Sequence, residues 1–295
     1  MNVFKRFLEV KMRKTKQLLS ALLIAALILC GCATAEGDWT NILLLGCDSY
    51  TTNSYQRSDS MIILSMNAKT MQIKMTSIMR DTWIKDPKTG ASRKLTELCS
   101  VGGPERTIEA INKNFGTDIE KYVLISLNGM AEVIDLLGGI DLEVTEAERK
   151  ALNKGLFDLS SLSGMEELES SGFVHLNGNQ ATAFARIRKI DSDYKRTERQ
   201  RTVLIALARI LKNNTTILTM MQVIGVLTKY IDTNMSLDEI VLICKFGLSS
   251  DLENIEQFRI PADGTYESGT YGDVWCIKPN FKKNTKLLQD FIYGE

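Results

Sequence analysis

NILLLG, residues 41–46, is a continuous apolar run closed by glycine, with Cys47 and Asp48 directly after it. No polar residue alternates within Ile42–Leu45, so the run predicts a strand buried on both faces, inside a sheet covered from either side. Asp48 then falls at the strand's C-terminal end. Further on, MIILSM (61–66) and MQIKMTSI (71–78) flank Asn67–Thr70, and Ile73, Met75 and Ser77 alternate with Lys74 and Thr76, which predicts a β-hairpin. Folding that hairpin about its turn sets Asp59, just before its first strand, against Arg80, just past its second. Two opposite charges distant in sequence meet at one sheet edge.

After a polar loop carrying Lys94, residues 104–115 predict a helix started by Pro104 and stopped near Gly116. YVLISL (122–127), a helix from about Gly129 to Leu137, and IDLEV (140–144) form a predicted βαβ unit. Residues 153–171, rich in Ser, Gly and Glu, predict a loop with a short helical piece, a candidate lid or a plain surface connection. Residues 215–231 predict an apolar helix, Ser236 and Glu239 have capping-box spacing, EQFRI and VWCIK predict strands, and 281–293 a closing helix. Alternating helices and strands imply an α/β sandwich. No linker separates a second domain, so residues 41–295 are expected to be one domain.

The segment ARIRKIDSDYKRTERQR (185–201) holds five arginines and two lysines against three acids, in a chain whose net formal charge is zero. FARIR is expected to be a strand with Arg186 and Arg188 on one face. A helix is expected to start at Thr197, whose spacing to Gln200 fits a capping box, with Arg196 before it and Arg199 and Arg201 in its first turn. Cations are unfavourable at a helix N-terminus, and a bound anion reverses the sign. Guanidinium groups converging with helix amides make a phosphate site; the competing account is a solvated face with ion pairs to Asp191, Asp193 and Glu198.

The neutral balance and a pI near 6.7 give no global reason to expect nucleic-acid binding. At the N-terminus, Lys11, Arg13, Lys14 and Lys16 precede an apolar run from Leu18 to Leu29, followed by Gly31 and Cys32, the layout of an export signal over residues 1–32. LCGC resembles a lipoprotein cleavage box in which Cys32 becomes lipidated; an uncleaved signal anchor is the other possibility. Residues 33–40 then form a short linker, and either anchor holds the domain outside the cell membrane. Cys47, Cys99, Cys244 and Cys276 remain, an even number where disulfides can persist, and sequence proximity pairs 47 with 99 and 244 with 276. His175, the one histidine, is expected on a loop or edge.

There is no GxxxxGK[ST] loop, no GxGxxG after the first strand, no GxSxG elbow and no histidine placed to activate a serine. Two strand-end aspartates can hold a hard divalent cation such as Mg²⁺ or Mn²⁺, with substrate phosphate oxygens completing its shell. Together these point to phosphoryl transfer by positioning and charge neutralisation.

NILLLGCDS, RSDSMIILSMN, SIMRDT, RKLTE, VIDLLGGIDLEV and HLNGNQATAFARIRKIDSDYKRTERQR occur in the order seen in the LytR-CpsA-Psr family, and together they cover roughly residues 41–212. The resemblance implies an extracytoplasmic, membrane-anchored protein of Gram-positive type with a three-layer α/β/α fold around a central mixed β-sheet. It implies a phosphotransferase that moves a polyprenyl-pyrophosphate-linked glycopolymer, such as teichoic acid or capsule, onto peptidoglycan. Matched residue by residue, Asp48 and Asp59 would be metal ligands and Arg80, Arg188 and Arg196 would bind pyrophosphate. Arg57, Asp81, Asp193, Arg199, Gln200 and Arg201 match further motif positions, of which Arg57, Arg199, Gln200 and Arg201 are assigned to the pyrophosphate and Asp59 or Asp81 is the candidate base. Met79 stands where proline is usual and Thr96 where asparagine is usual. Met61, Met75 and Ile125 are candidate lining for a lipid tunnel. A polyprenyl-pyrophosphate phosphatase and a non-enzymatic envelope-tethered glycopolymer-binding or regulatory protein are the rival functions.

Overall fold

The computed structural model describes residues 38–48, 50–51, 54–158, 166–214, 222–223, 225, 229–271 and 273–294. The export signal, Cys32 and most of the expected linker lie outside these residues, as does most of the apolar helix expected over 215–231. Among the described residues no helix is long and apolar enough to cross a membrane.

The apolar run at 41–46 sits in β1 (Trp39–Cys47), which starts two residues before the expected boundary at 41. β1 pairs antiparallel with β4 (Ser58–Asn67) and parallel with β8 (Lys121–Ser126). β5 (Gln72–Ile78) completes the predicted hairpin, β12 (Glu256–Ile260) pairs parallel with it, and β11 (Ile231–Thr233) pairs antiparallel with β8. The six strands form a mixed sheet in the order β11-β8-β1-β4-β5-β12.

Period-two alternation splits β1 between two layers. Leu43, Leu45 and Cys47 join one core cluster with residues of α1 (Leu95–Phe115) and α7 (Phe281–Tyr293). On the other face Ile42 and Leu44 pack in clusters with Ala208 and Leu204 of α5 (Asp193–Asn214) and with Ile243 and Phe246 of α6 (Leu237–Ser249). The fold is thus the expected three-layer α/β/α sandwich. Helices on both faces bury even Lys74 and Thr76 of the hairpin; the Lys74 ammonium donates to the Phe291 carbonyl at 2.7 Å and lies over the Trp39 ring.

Pro104 starts a helical segment as expected, with an earlier turn joined to it across Gly102 and Gly103. Gly103 has φ 75°, where a side chain is strained, and a Cβ there would stand a tight 3.1 Å from the Tyr55 ring. The expected βαβ unit is corrected. β8 and α2 (Leu127–Leu136) form, but β9 (Ile140–Val144) leaves the main sheet and pairs with β10 (Gly172–Leu176), where His175 sits exposed beside Asp141. A helix runs into the loop expected over 153–171, taking its first six residues: α3 (Glu146–Asp158) is closed at its start by Thr145 and Glu148, which exchange capping hydrogen bonds. α3, α4 (Gly178–Arg186), β9 and part of α5 share their own apolar cluster.

Short pairs β2 (Tyr50–Thr51) with β3 (Ser54–Tyr55), β6 (Trp83–Lys85) with β7 (Ser92–Lys94), and β13 (Tyr266–Tyr271) with β14 (Val274–Pro279) flank the sheet. The expected disulfides are not formed: Cys47, Cys99, Cys244 and Cys276 are free thiols. Cys47 and Cys99 share one core cluster as thiols, Cys47 donating to the Ile125 carbonyl. Cys244 lines the cavity described below, whereas Cys276 is buried in β14, whose neighbour Ile277 donates to the Asp81 carbonyl.

Candidate active site

β1 and β4 deliver the two aspartates together. Gly46 pairs with Ser60 and Cys47 with Ser58, so Asp59 is the extra residue of a bulge in β4 and Asp48 follows the end of β1 directly, next to that bulge. Both line a cavity of about 880 Å³. The turn after β5 sets Arg80 behind Asp59, outside the cavity lining itself; its Nη1 donates to Asp59 Oδ1 at 2.7 Å and its Nη2 is 3.9 Å from Asp193. Arg196 on α5 reaches the same place, with Nη2 3.2 Å from the Asp59 carbonyl oxygen and 3.0 Å from Asp193.

Arg196 is only 3% exposed. Burial holds its pKa below the usual guanidinium value, and the charges of Arg80 and Arg188 push the same way against Asp193 and Asp59. At Arg80, burial also opposes the charge, but Asp59, Asp193 and Asp81 outweigh it and raise the pKa. The buried Nε atoms of Arg80 and Arg196 and the Oε1 of Gln200 have no hydrogen-bond partner. Buried polar atoms are normally satisfied, so the two unfilled guanidinium donors beside clustered cations fit an anion, whereas the Gln200 oxygen is an unfilled acceptor and answers to a donor instead.

Local capping decides where the other arginines go, and here the sequence expectation is corrected. The Asn177 side chain and Gln180 form a capping box that starts α4 at Gly178, so FARIR ends a helix instead of forming a strand. Arg186, at its last position, pairs with Asp48 at 2.6 Å. Ile187 turns out of the helix, and Arg188 lines the cavity with no ion pair among the described residues. α5 starts at Asp193, not Thr197: Ser192 Oγ accepts from the Lys195 amide, and the Thr197 hydroxyl bonds back to the Tyr194 carbonyl as an interior threonine does. Arg199 and Arg201 are therefore one turn or more inside, outside the cavity lining. Arg199 bonds Glu148, the Ile187 carbonyl and Asp191; Arg201 bonds Gln257 and Ser77. Both act as buried struts between elements. Gln200 lines the cavity.

Arg57 is two-thirds exposed and 3.5 Å from Glu97, outside the cavity lining. Asp81 is held by Lys94 at 2.7 Å and lies 3.6 Å from Arg80 Nε, behind the mouth. Among the described residues no three His, Cys, Asp or Glu side chains form a metal cluster. Asp48 and Asp59 thus supply two hard oxygen donors and would leave the remaining positions of a divalent cation to other ligands.

Behind this polar mouth the cavity is walled by Ile62, Val123, Val203, Leu204, Leu207 and Ile243, and by Ile125 as expected. Met61 and Met75 do not line it; Met61 packs in the α1-side core and Met75 is buried in the small cluster with Ile62 and Ile205. Sequence inspection also missed that α3 lines the cavity, although Thr145 and Glu148 have the spacing that marks its start.

The fold and site define a class: an α/β/α protein whose apolar cavity opens at a mouth of arginines and aspartates. The LytR_cpsA_psr family model matches residues 11–289, and the chain belongs to the LytR-CpsA-Psr family. It is 31% identical over 264 residues to the polyisoprenyl-teichoic acid–peptidoglycan teichoic acid transferase TagV of Bacillus subtilis (strain 168), a match covering 85% of this chain and 64% of that one, just under two thirds of the relative. It is 29% identical over 232 residues to the transferase TagU of Bacillus mycoides (strain KBAB4), covering 78% and 71%. The crystal structure of Bacillus subtilis TagV superposes with a TM-score of 0.68 at 26% identity, covering 88% of this chain and 98% of that one.

Proposed function

We propose that this protein is an extracytoplasmic phosphotransferase that moves a polyprenyl-pyrophosphate-linked glycopolymer onto peptidoglycan during cell wall assembly, held at the outer face of the membrane by its N-terminal segment. Its relatives TagV and TagU are named polyisoprenyl-teichoic acid–peptidoglycan teichoic acid transferases, which supports this reading. The observation that carries the proposal is Arg196, buried at the mouth of an apolar cavity among other guanidinium groups with its Nε unsatisfied. A diphosphate answers that charge, and a prenyl tail suits the apolar wall behind it.

In this account Arg80, Arg188 and Arg196 hold the diphosphate, and Gln200 contacts the donor beside them. Each carboxylate has a cation at 2.7 Å, but Asp59 lines the cavity and Asp81 does not, so Asp59 orients the incoming peptidoglycan hydroxyl and takes its proton. The hydroxyl oxygen bonds to the phosphorus bearing the glycan, the bond to the bridging oxygen breaks, and polyprenyl phosphate leaves with the electron pair, its charge met by the arginines. Asp48 and Asp59 fit a Mg²⁺ or Mn²⁺ ion, which would supply further neutralisation of phosphate charge when bound.

Purified full-length protein, given a lipid-pyrophosphate-linked glycan and peptidoglycan, should yield glycan attached to peptidoglycan through a phosphodiester, together with polyprenyl phosphate. Release of glycan phosphate without attachment would show a phosphatase, and binding without turnover a regulatory or carrier protein.

A further inference from the structure

The cavity has one lip that diphosphate binding does not account for. We propose that Lys150 and Lys154 of α3, with Lys189 beyond α4, form a polyanion-binding subsite that takes the first charged repeat units of the donor glycopolymer; this rests on the transfer function above and selects polymers with phosphodiester or carboxylate repeats over neutral ones.

All three lysines line the same cavity as Arg186 and Arg188. From α3 the lining set is Ala147, Lys150, Ala151, Lys154 and Gly155, the spacing of a single helix face, which therefore presents small residues as a floor and lysines as a rim. Ala181 and Ala185 of α4 also line the cavity with small side chains. One helical turn separates the two α3 lysines, about 6 Å along the axis. The rim is not a neutral salt-bridged surface. Lys154 and Lys189 make no ion pair among the described residues, and Lys150 stands 3.5 Å from a Glu146 that Arg149 already holds at 2.8 and 2.9 Å. The nearby acids are engaged elsewhere: Asp48 with Arg186, and Glu148 and Asp191 with Arg199.

Position supplies the rest. A polymer joined to the diphosphate must leave the arginine cluster away from the apolar wall that suits the tail. α3 packs against α4, which ends at Arg186, and Lys189 follows Arg188 in sequence; these basic residues line one cavity with Lys150 and Lys154. Neutral sugars gain little from ammonium groups, whereas a row of phosphates or carboxylates is attracted to them.

The test uses full-length protein in detergent micelles and two donors sharing one lipid pyrophosphate, one bearing a neutral disaccharide and the other the same disaccharide extended by glycerol phosphate units. Lys150→Ala/Lys154→Ala should raise KM for the charged donor about five- to tenfold with little change in kcat, leave KM for the neutral donor within about twofold, and flatten the salt dependence of the charged donor's KM; Lys150→Arg/Lys154→Arg should restore it. Binding of labelled soluble poly(glycerol phosphate), followed by anisotropy, should weaken by a similar factor without any turnover being required. Equal losses with both donors, or no change in either donor or in anisotropy, would overturn the subsite. So would weakened binding to phosphatidylglycerol vesicles with both KM values unchanged, which marks the lip as a membrane contact. If the wild type turns over neither donor, the transfer function fails, and the anisotropy measurement still decides the subsite by itself.

Discussion

Nη2 of Arg196 donates to the main-chain oxygen of Asp59 at 3.2 Å, tying the start of α5 to the start of β4 across 137 residues of sequence. The bond fixes a guanidinium at the cavity mouth in a setting that disfavours its charge until an anion arrives. Function and ligand-free stability are therefore opposed at this residue.

Arg196→Met should leave the ligand-free protein about as stable as the wild type or more so, because burial and the neighbouring Arg80 and Arg188 act against the native charge. A prenyl diphosphate at about 100 times its Kd should stabilise the wild type by about 2.7 kcal/mol, a rise of roughly 5–10 °C in Tm for a domain of this size. The variant should show little of this rise and lose about 10²–10³ in turnover. Thermal shift with and without ligand checks it; an equal rise in both proteins would refute the role.

Arg199 should behave differently. It joins α5 to Glu148 of α3, to Asp191 and to the Ile187 carbonyl; of these only Ile187 lines the cavity, and Arg199 itself does not. Arg199→Ala should destabilise the ligand-free fold by about 3 kcal/mol, since it leaves buried partners uncompensated. The ligand-induced Tm rise should survive in that variant. Chemical denaturation and thermal shift together separate it from Arg196.

Acid stability should depend on Asp86, whose side chain is fully buried against Arg106 and Arg93. Burial alone would raise its pKa, but the Arg106 hydrogen bonds, the Lys88 amide and the Thr89 hydroxyl together hold it well below the usual carboxylate range. A depressed folded-state pKa gives stability that is complete above about pH 4 and lost as pH falls through the folded value. Asp86→Asn should cost about 3 kcal/mol near pH 7 and flatten the acid limb of a stability–pH curve. A limb as steep as the wild type's would contradict the assignment.

The thiols offer a check on the core. Burial, with Cys99 and Asp48 adding at Cys47, pushes Cys47 up to about 12, and burial with Asp232 and Glu105 pushes Cys99 up to about 12. At pH 8 both should resist iodoacetamide in the folded protein, because the thiolate is the reactive form. After denaturation without reductant all four thiols from Cys47 to Cys276 should be labelled by mass; an unlabelled pair would indicate a disulfide.

Much of this site could be read from residues 41–80. An unbroken apolar strand followed by aspartate, then a hairpin, sets Asp48, Asp59 and Arg80 at one edge by pleat and register alone. The basic segment was less legible because two start signals lie close together: Thr197 and Gln200 match a capping box, yet Ser192 caps the helix five residues earlier and turns Arg199 and Arg201 away from the mouth. FARIR carries no sign that Asn177 and Gln180, seven and four residues upstream of Phe184, have already begun a helix. α3 escaped notice because its apolar residues are few, and its cavity face is alanine, glycine and lysine. The separation of β9 from the main sheet depends on its pairing with β10, a contact between strands that local pattern does not encode.

A crystal structure of the protein with a polyprenyl-pyrophosphate analogue and Mg²⁺ tests the central claim most directly. The account predicts both phosphates among Arg80, Arg188 and Arg196, the cation against Asp48 and Asp59, and the tail along Ile62, Val203 and Leu207. A diphosphate bound away from Arg196, or a tail lying outside the cavity, would contradict it.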